Sequence, residues 1–249
     1  MFALILAGGK GERLRPLTDT MPKPMVPLAG RPILSHQVDR LKQAGVTDVV
    51  FLAGYLWQSI KDYFGDGSES GIRAHYSLED SPLGRGGAIR QGFIQVPPNE
   101  ENVIVLNGDV VTHEHPGAIV DRHRTVKAEN PSHMATIMVV PMVSPYGIVD
   151  LDDNDSVEGF REKVEIPYWI NAGVYVLERR IEPEFPELGD HETATFPRLA
   201  QSGQLSAHKS RAFWRSVDSF KDLREAEEQF TGISRYRPCL LYTSDAADE

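Results

Sequence analysis

Five apolar residues, Phe2 to Leu6, run through Ala7 directly into Gly8 and Gly9 at the start of the chain. A short unbroken apolar run stopped by glycines is the pattern of a strand buried on both faces, and such a strand belongs in a parallel sheet covered by helices. The same punctuation recurs. Ile33, Leu34, Val38 and Leu41 followed by Gly45 describe a helix over 32–44 with its stop signal, and Asp48 to Leu52 is the next strand. Further on, a helix is expected around 57–64, a strand near 74–77, a helix at 87–93, and an apolar strand at 103–106 that ends in Asn107, Gly108 and Asp109. Strands alternating with helices favour a doubly wound α/β sheet.

After a helix near 117–128 the texture changes to closely spaced strand-like runs at 134–140, 147–151, 157–160 and 170–177, which predicts an antiparallel or mixed extension. Ser219 to Phe230, with a serine N-cap and dense helix formers, closes the organised part. The expectation is one domain over 1–232 with a Rossmann-like, mixed, mostly parallel central sheet, followed by an irregular tail at 233–249. The final CLLYTSDAADE, Cys239 to Glu249, resembles translated adapter read-through and is set aside as doubtful.

Charge narrows the partners. Lys and Arg number 26 against 36 Asp and Glu, a net charge of −10, which argues against a nucleic-acid groove because that needs a basic face. Cys239 is the single cysteine, so neither an internal disulfide nor a cysteine-rich zinc site is expected, which fits a reducing, cytoplasmic compartment. The opening MFALILAGGKGERLR has too short an apolar run for a signal peptide or a membrane span. An acidic protein can still bind a small phosphorylated ligand where a few cations gather.

They gather in the loop after the first strand. Glycines let backbone N–H groups approach phosphate oxygens, and Arg13 and Lys23 follow them, with Pro22 and Pro24 restricting the backbone on either side of Lys23. Two better-known glycine loops do not fit. The dinucleotide fingerprint needs a third glycine where Leu14 stands, and the Walker A pattern is absent. Asp109, at the carboxyl end of the VIVLN run, stands where open α/β sheets bind ligands and is a candidate metal ligand. Read alone, it is equally a turn aspartate.

With GGKGERLRPLT and PKPMVPLAGRPIL in these positions, the chain resembles the sugar-1-phosphate nucleotidylyltransferase family, and the likeness extends over nearly all of residues 1–230. The resemblance implies the nucleotide-diphospho-sugar transferase fold, Mg²⁺ as cofactor, and a nucleoside triphosphate and a sugar 1-phosphate as substrates. A homo-oligomer is compatible with it. It implies that Leu6, Ala7, Gly8, Gly9, Gly11, Arg13, Lys23, Leu83, Gly84, Asn107 and Gly108 bind the nucleotide, with Leu83 and Gly84 of SPLGRGGAI against the base. Arg13, Lys23 and Asp109 would be catalytic. Asp218 of WRSVDSF would pair with Asp109 as the second metal ligand. Tyr146, Gly147, Glu162, Lys163, Asn171 and Gly173 would hold the sugar phosphate, although Val164 stands where many relatives have proline. Within the family, PKPMVPLAGRPIL with SLEDSPLGRGGAI looks closest to mannose- or heptose-1-phosphate guanylyltransferases; thymidylyl, uridylyl and cytidylyl relatives share the loops.

Other readings explain less. A silent sugar-nucleotide-binding relative would lack the triphosphate cations or the metal aspartates. A glycosyltransferase would show D-x-D where this chain reads NGDVV. Asp150, Asp152 and Asn154 imitate a calcium loop but have Asp155 in place of glycine and Arg161 in place of glutamate, so a solvated turn is expected. His113 and His115 lack the helical spacing of a zinc protease.

Overall fold

In the computed structural model, which describes residues 1–232, the first apolar run forms β1 (Phe2–Ala7), buried on both faces. The expectations for the tail lie outside the described residues. Three short 3-10 turns and a ribbon of β2 (Pro27–Leu28) with β3 (Arg31–Pro32) lead to α1 (Ile33–Gln43). The chain continues through β4 (Asp48–Ala53), α2 (Gln58–Phe64), β5 (Arg73–Leu78), α3 (Gly84–Gly92), β6 (Asn102–Asn107), β7 (Val110–Thr112) and α4 (Pro116–Glu129). The second half holds β8 (Ala135–Val143), β9 (Ile148–Leu151), β10 (Val157–Arg161), β11 (Glu165–Glu178), α5 (His191–Gln201), β12 (Leu205–Lys209), β13 (Trp214–Ser216) and α6 (Phe220–Thr231).

Seven strands form the main sheet in the order β12-β8-β11-β6-β1-β4-β5. β5, β4, β1 and β6 are parallel; β11 runs antiparallel to both β6 and β8, and β12 is parallel to β8. The mixed, mostly parallel sheet is therefore as expected. Alternation along the strands divides the core in two. Ile5 and Phe51 face Leu34 and Leu41 of α1 and Val120 of α4, whereas Leu4 and Leu52 face Ile89 of α3 and Phe196 and Leu199 of α5. No helix among the described residues is long and apolar enough to cross a membrane.

A third, smaller cluster lies beneath the glycine loop. Leu14 from that loop, Val26, Ile33 of α1, Val111 of β7, Val217 and Ala226 of α6 are all buried together. The cluster pins the loop near the start of the chain to the segment around residue 217, and so brings the neighbours Arg13 and Asp218 to one place.

Two details differ from the sequence reading. The helix expected at 87–93 starts earlier, at Gly84, because the amides of Gly86 and Gly87 dock on the Gly189 carbonyl, packing that outweighs the low helix propensity of glycine. α5 and the strands β12 and β13 were not anticipated. The acidic turn after β9 is as expected: Asp152 Oδ1 accepts from the backbone N–H groups of Asn154 and Ser156, both at 2.8 Å.

Candidate active site

Lys23 sits in a 3-10 turn between Pro22 and Pro24, a conformation proline favours, and its side chain is only 12% exposed. Gly11 lies across from it with φ +63°, where a Cβ would stand 2.8 Å from Lys23 Cβ. Only glycine meets both conditions, so the loop and the lysine pack as one unit. Thr18 Oγ1 donates to the Gly11 carbonyl at 2.9 Å and holds the loop closed.

Asp109 follows β6 in a turn hung from α1, where Gln37 Nε2 donates to the Asn107 and Val110 carbonyls. Gly108 in that turn donates to the Leu6 carbonyl at 2.8 Å, and a Cβ there would collide with the same oxygen and with Pro24. Gly108→Ala is thus expected to cost about 1–3 kcal/mol of stability, the usual range for overpacking a tight contact, and to lower the urea midpoint accordingly. An unchanged midpoint in equilibrium unfolding would show that the turn yields freely.

β13 pairs antiparallel with β7, and the Val217 amide donates to the Asp109 carbonyl at 2.9 Å, which places Asp218 beside Asp109. Lys23 Nζ then donates to Asp109 Oδ2 at 2.5 Å and to Asp218 Oδ1 at 2.6 Å, and Arg13 Nη2 donates to Asp218 Oδ1 at 2.7 Å. Burial alone would raise the Asp218 carboxyl, but the Lys23 ammonium and Arg13 outweigh it and hold it below the usual carboxylate range. Two cations and two carboxylates separated by up to 205 residues in sequence form one linked group. Asp109 and Asp218 stay 24% and 31% exposed, so a ligand can reach them.

Lys23 and Asp109 of this group line a cleft of about 340 Å³, walled also by Leu6, Gly8, Gly9, Gly84, Asn107 and Gly108. That lies within the ~300–1,000 Å³ typical of small-molecule sites. Ala7 is buried at the end of β1, and Leu83 adjoins Gly84 at the start of α3. Of the remaining sequence-predicted residues, Gly11 packs on Lys23, Asp218 pairs with it and Arg13 pairs with Asp218, so these three adjoin the cleft without lining it.

The sugar-phosphate candidates divide. Gly173 packs against the Asn107 side chain at the cleft wall, and Asn171, in a bulge of β11, accepts from the Gly173 amide at 3.0 Å. Tyr146, Gly147, Glu162 and Lys163 instead lie on the β8–β9 and β10–β11 connections, outside the walls of this cleft. Gly147 packs on Phe160, and Lys163 adopts a φ of 55°, uncommon for a residue with a side chain. Glu162 and Lys163 are exposed.

Four polar residues around this site, Glu79, Arg85, Asp190 and Glu192, escaped the sequence reading. Glu79 lies in the cleft wall and accepts from the Leu83 amide at 2.8 Å, fixing the entry to α3. Arg85, also in the wall, donates to Asp190 through Nε at 2.8 Å and Nη2 at 2.5 Å, and to Glu192 through Nη1 at 2.7 Å. Asp190 caps α5 by accepting from the Glu192 amide. The available signals were an Asp N-cap two residues before Glu192, and an arginine inside the LGRGG turn. His113 and His115 serve structure: His113 packs on Phe213 and Phe230, and His115 Nδ1 caps α4. No group of three or more metal-capable side chains occurs among the described residues.

Known proteins share this arrangement of sequence. The chain is 34% identical over 241 residues to a mannose-1-phosphate guanylyltransferase of Mycobacterium tuberculosis, covering 93% of this chain and 65% of that protein. A mannose-1-phosphate guanyltransferase of Debaryomyces hansenii is 32% identical over 257 residues, covering 97% of this chain and 68% of that protein. The chain thus spans about two thirds of the length of these relatives. Among solved structures, HddC from Yersinia pseudotuberculosis complexed with GMP-PN superposes with a TM-score of 0.69 at 25% identity, covering 92% of this chain and 99% of that one. The family model described as nucleotidyl transferase matches residues 2–232, and the chain belongs to that family.

Proposed function

We propose that the protein is a sugar-1-phosphate nucleotidylyltransferase that joins a nucleoside triphosphate to a sugar 1-phosphate and releases pyrophosphate, with GTP and mannose 1-phosphate as its pair. The observation that carries this reading is the linked group of Arg13, Lys23, Asp109 and Asp218 at the mouth of a glycine-walled cleft. The curated relatives, which are named for mannose-1-phosphate guanylyl transfer, support the choice of substrates.

In this reading the amides of Gly8, Gly9 and Gly11 and the Arg13 guanidinium hold the triphosphate, and Leu83 and Gly84 lie along the base. Leu6, Ala7, Asn107 and Gly108 complete the nucleotide wall. Tyr146, Gly147, Glu162, Lys163 and Gly173 serve the sugar phosphate, and Asn171 supports that side from within β11. One phosphate oxygen of the sugar 1-phosphate attacks the α-phosphorus in line while the Lys23 ammonium and Arg13 offset the charge developing on the departing pyrophosphate. A phosphate monoester is largely ionised at neutral pH, so no protein group has to take its proton.

Asp109 and Asp218 present oxygens to the same ammonium, and two carboxylates with phosphate oxygens and water would suit Mg²⁺. When bound there, Mg²⁺ supplies charge neutralisation and orientation of the polyphosphate.

The test is a matrix of nucleoside triphosphates against sugar 1-phosphates in Mg²⁺, scored by pyrophosphate release. The expected maximum is GTP with mannose 1-phosphate. A maximum at a heptose 1-phosphate, or at glucose 1-phosphate with another nucleotide, would reassign the substrates and keep the reaction. Silence across the matrix with sugar nucleotide still bound would point to a regulatory subunit instead.

A further inference from the structure

Resting on the proposed binding of a sugar 1-phosphate, we propose that Glu192 is the carboxylate that reads the sugar hydroxyls, positioned by Arg85, Asn171 and Tyr175. Three donors from two other elements converge on one of its oxygens. Oε1 accepts from Arg85 Nη1 at 2.7 Å, from Asn171 Nδ2 at 2.9 Å and from the Tyr175 hydroxyl at 3.4 Å. Oε2 accepts no hydrogen bond among the described residues, and the side chain is 33% exposed. One oxygen is saturated by the protein and the other accepts nothing from it, in a carboxylate that cannot rotate without breaking three bonds. That is a preorganised acceptor, and a hydroxyl that must donate finds it without an ordering cost.

Its place in the fold points to the sugar rather than to the nucleotide. Arg85 forms part of the cleft wall, Asn171 lies two residues from Gly173, and Gly173 packs on Asn107 of the same wall. Glu192 is not a wall residue itself, but through Arg85 and Asn171 it ties α3 to β11 directly behind that wall.

Asn171, by contrast, has little left to offer. Its amide nitrogen must face Glu192, because an ionised carboxylate only accepts, and its two hydrogens are spent on Glu192 and on Tyr175 OH at 2.9 Å. Its oxygen already accepts from the Gly173 amide. Asn171 is therefore a positioning residue for Glu192. Buried Tyr175, whose hydroxyl burial holds in the protonated form, acts the same way.

The experiment compares wild type and Glu192→Gln with mannose 1-phosphate and its monodeoxy analogues. Arg85 stays anchored in the variant by its two bonds to Asp190, so the nucleotide wall should persist. The expected result is a rise in KM for the sugar 1-phosphate on the order of 10- to 100-fold, the usual effect of losing a hydrogen bond to a charged group. KM for the nucleotide should not change. Wild type should discriminate against at least one deoxy analogue, and the variant should lose that discrimination. Glu192→Asp keeps the charge that Arg85 faces and withdraws the free oxygen by one methylene, so it should show the same pattern, more weakly, even where the glutamine variant folds poorly. Unchanged sugar KM and unchanged deoxy discrimination in a variant that still turns over would overturn the assignment of Glu192 alone. Absence of turnover by wild type with every sugar 1-phosphate would instead remove the reaction, and this assignment with it.

Discussion

Lys23→Ala is expected to yield a folded protein whose turnover falls by roughly 10²- to 10³-fold, the typical cost of removing one preorganised charge from a site of developing negative charge. Folding should survive because alanine keeps the Cβ against which Gly11 packs, and the rest of the side chain faces charged groups rather than core. The same variant makes a second, opposite prediction. Lys23 holds both metal-capable carboxylates in its own ion pairs. Without that ammonium Asp109 and Asp218 repel each other, so Mg²⁺ should bind the ligand-free variant more tightly than it binds wild type. Titration calorimetry with Mg²⁺ and a pyrophosphate-release assay check the two halves. Asp109→Ala should lose turnover to a similar degree while weakening Mg²⁺ binding, and normal turnover in either variant would remove that residue from the chemistry.

Acid should weaken the fold well before its carboxylates titrate. Burial pushes His191 down to about 4, and burial together with repulsion from His123 pushes His133 down to about 4; His123 is lowered as well, again by burial. His191 is fully buried among Tyr175, Phe185 and Phe196, and neither ring nitrogen finds a hydrogen-bond partner among the described residues. In the unfolded chain a histidine titrates near ~6.5. Between these values the unfolded state binds protons that the native state refuses, so the stability held above about pH 6.5 drains as pH falls toward 4. Each of the two most shifted groups should contribute on the order of 2–3 kcal/mol to this loss. The buried carboxylate of Asp48 acts in a lower window. Burial would raise it, but Arg73, Thr47 and His75 bring it down to about 2, so its contribution persists to about pH 4 and is lost below that. Urea midpoints measured from pH 7 to 4.5 should fall steadily, and His191→Leu should flatten the slope. A flat profile in wild type would mean that these rings reach solvent.

The alternating strands and helices of the first half were legible because both faces of that sheet are covered, and double burial writes unbroken apolar runs such as Phe2–Ala7 and 103–106 into the chain. α5 was not legible. Its buried face carries His191 and Thr195 beside Phe196 and Leu199, so polar residues in core positions erased the helical periodicity, and Pro197 lies inside it. Much of the candidate site followed from the glycine loop and the strand end, where local sequence dictates local backbone. Asp218 could be singled out only through family likeness, since its proximity to Asp109 depends on the β7–β13 pairing and on Val217 packing with Leu14. Glu192 and Arg85 were hidden for the same reason: each makes sense only once α3 and α5 stand side by side.

Residues 13, 23, 109 and 218 meet through that small cluster beneath the loop. The fourth corner of the charged centre is therefore delivered by the segment after β12, when every strand of the main sheet has already been laid down. A chain that ends ahead of β13 has the whole main sheet and most of its core, yet it lacks Asp218, and under the proposed function it lacks one of the two metal carboxylates.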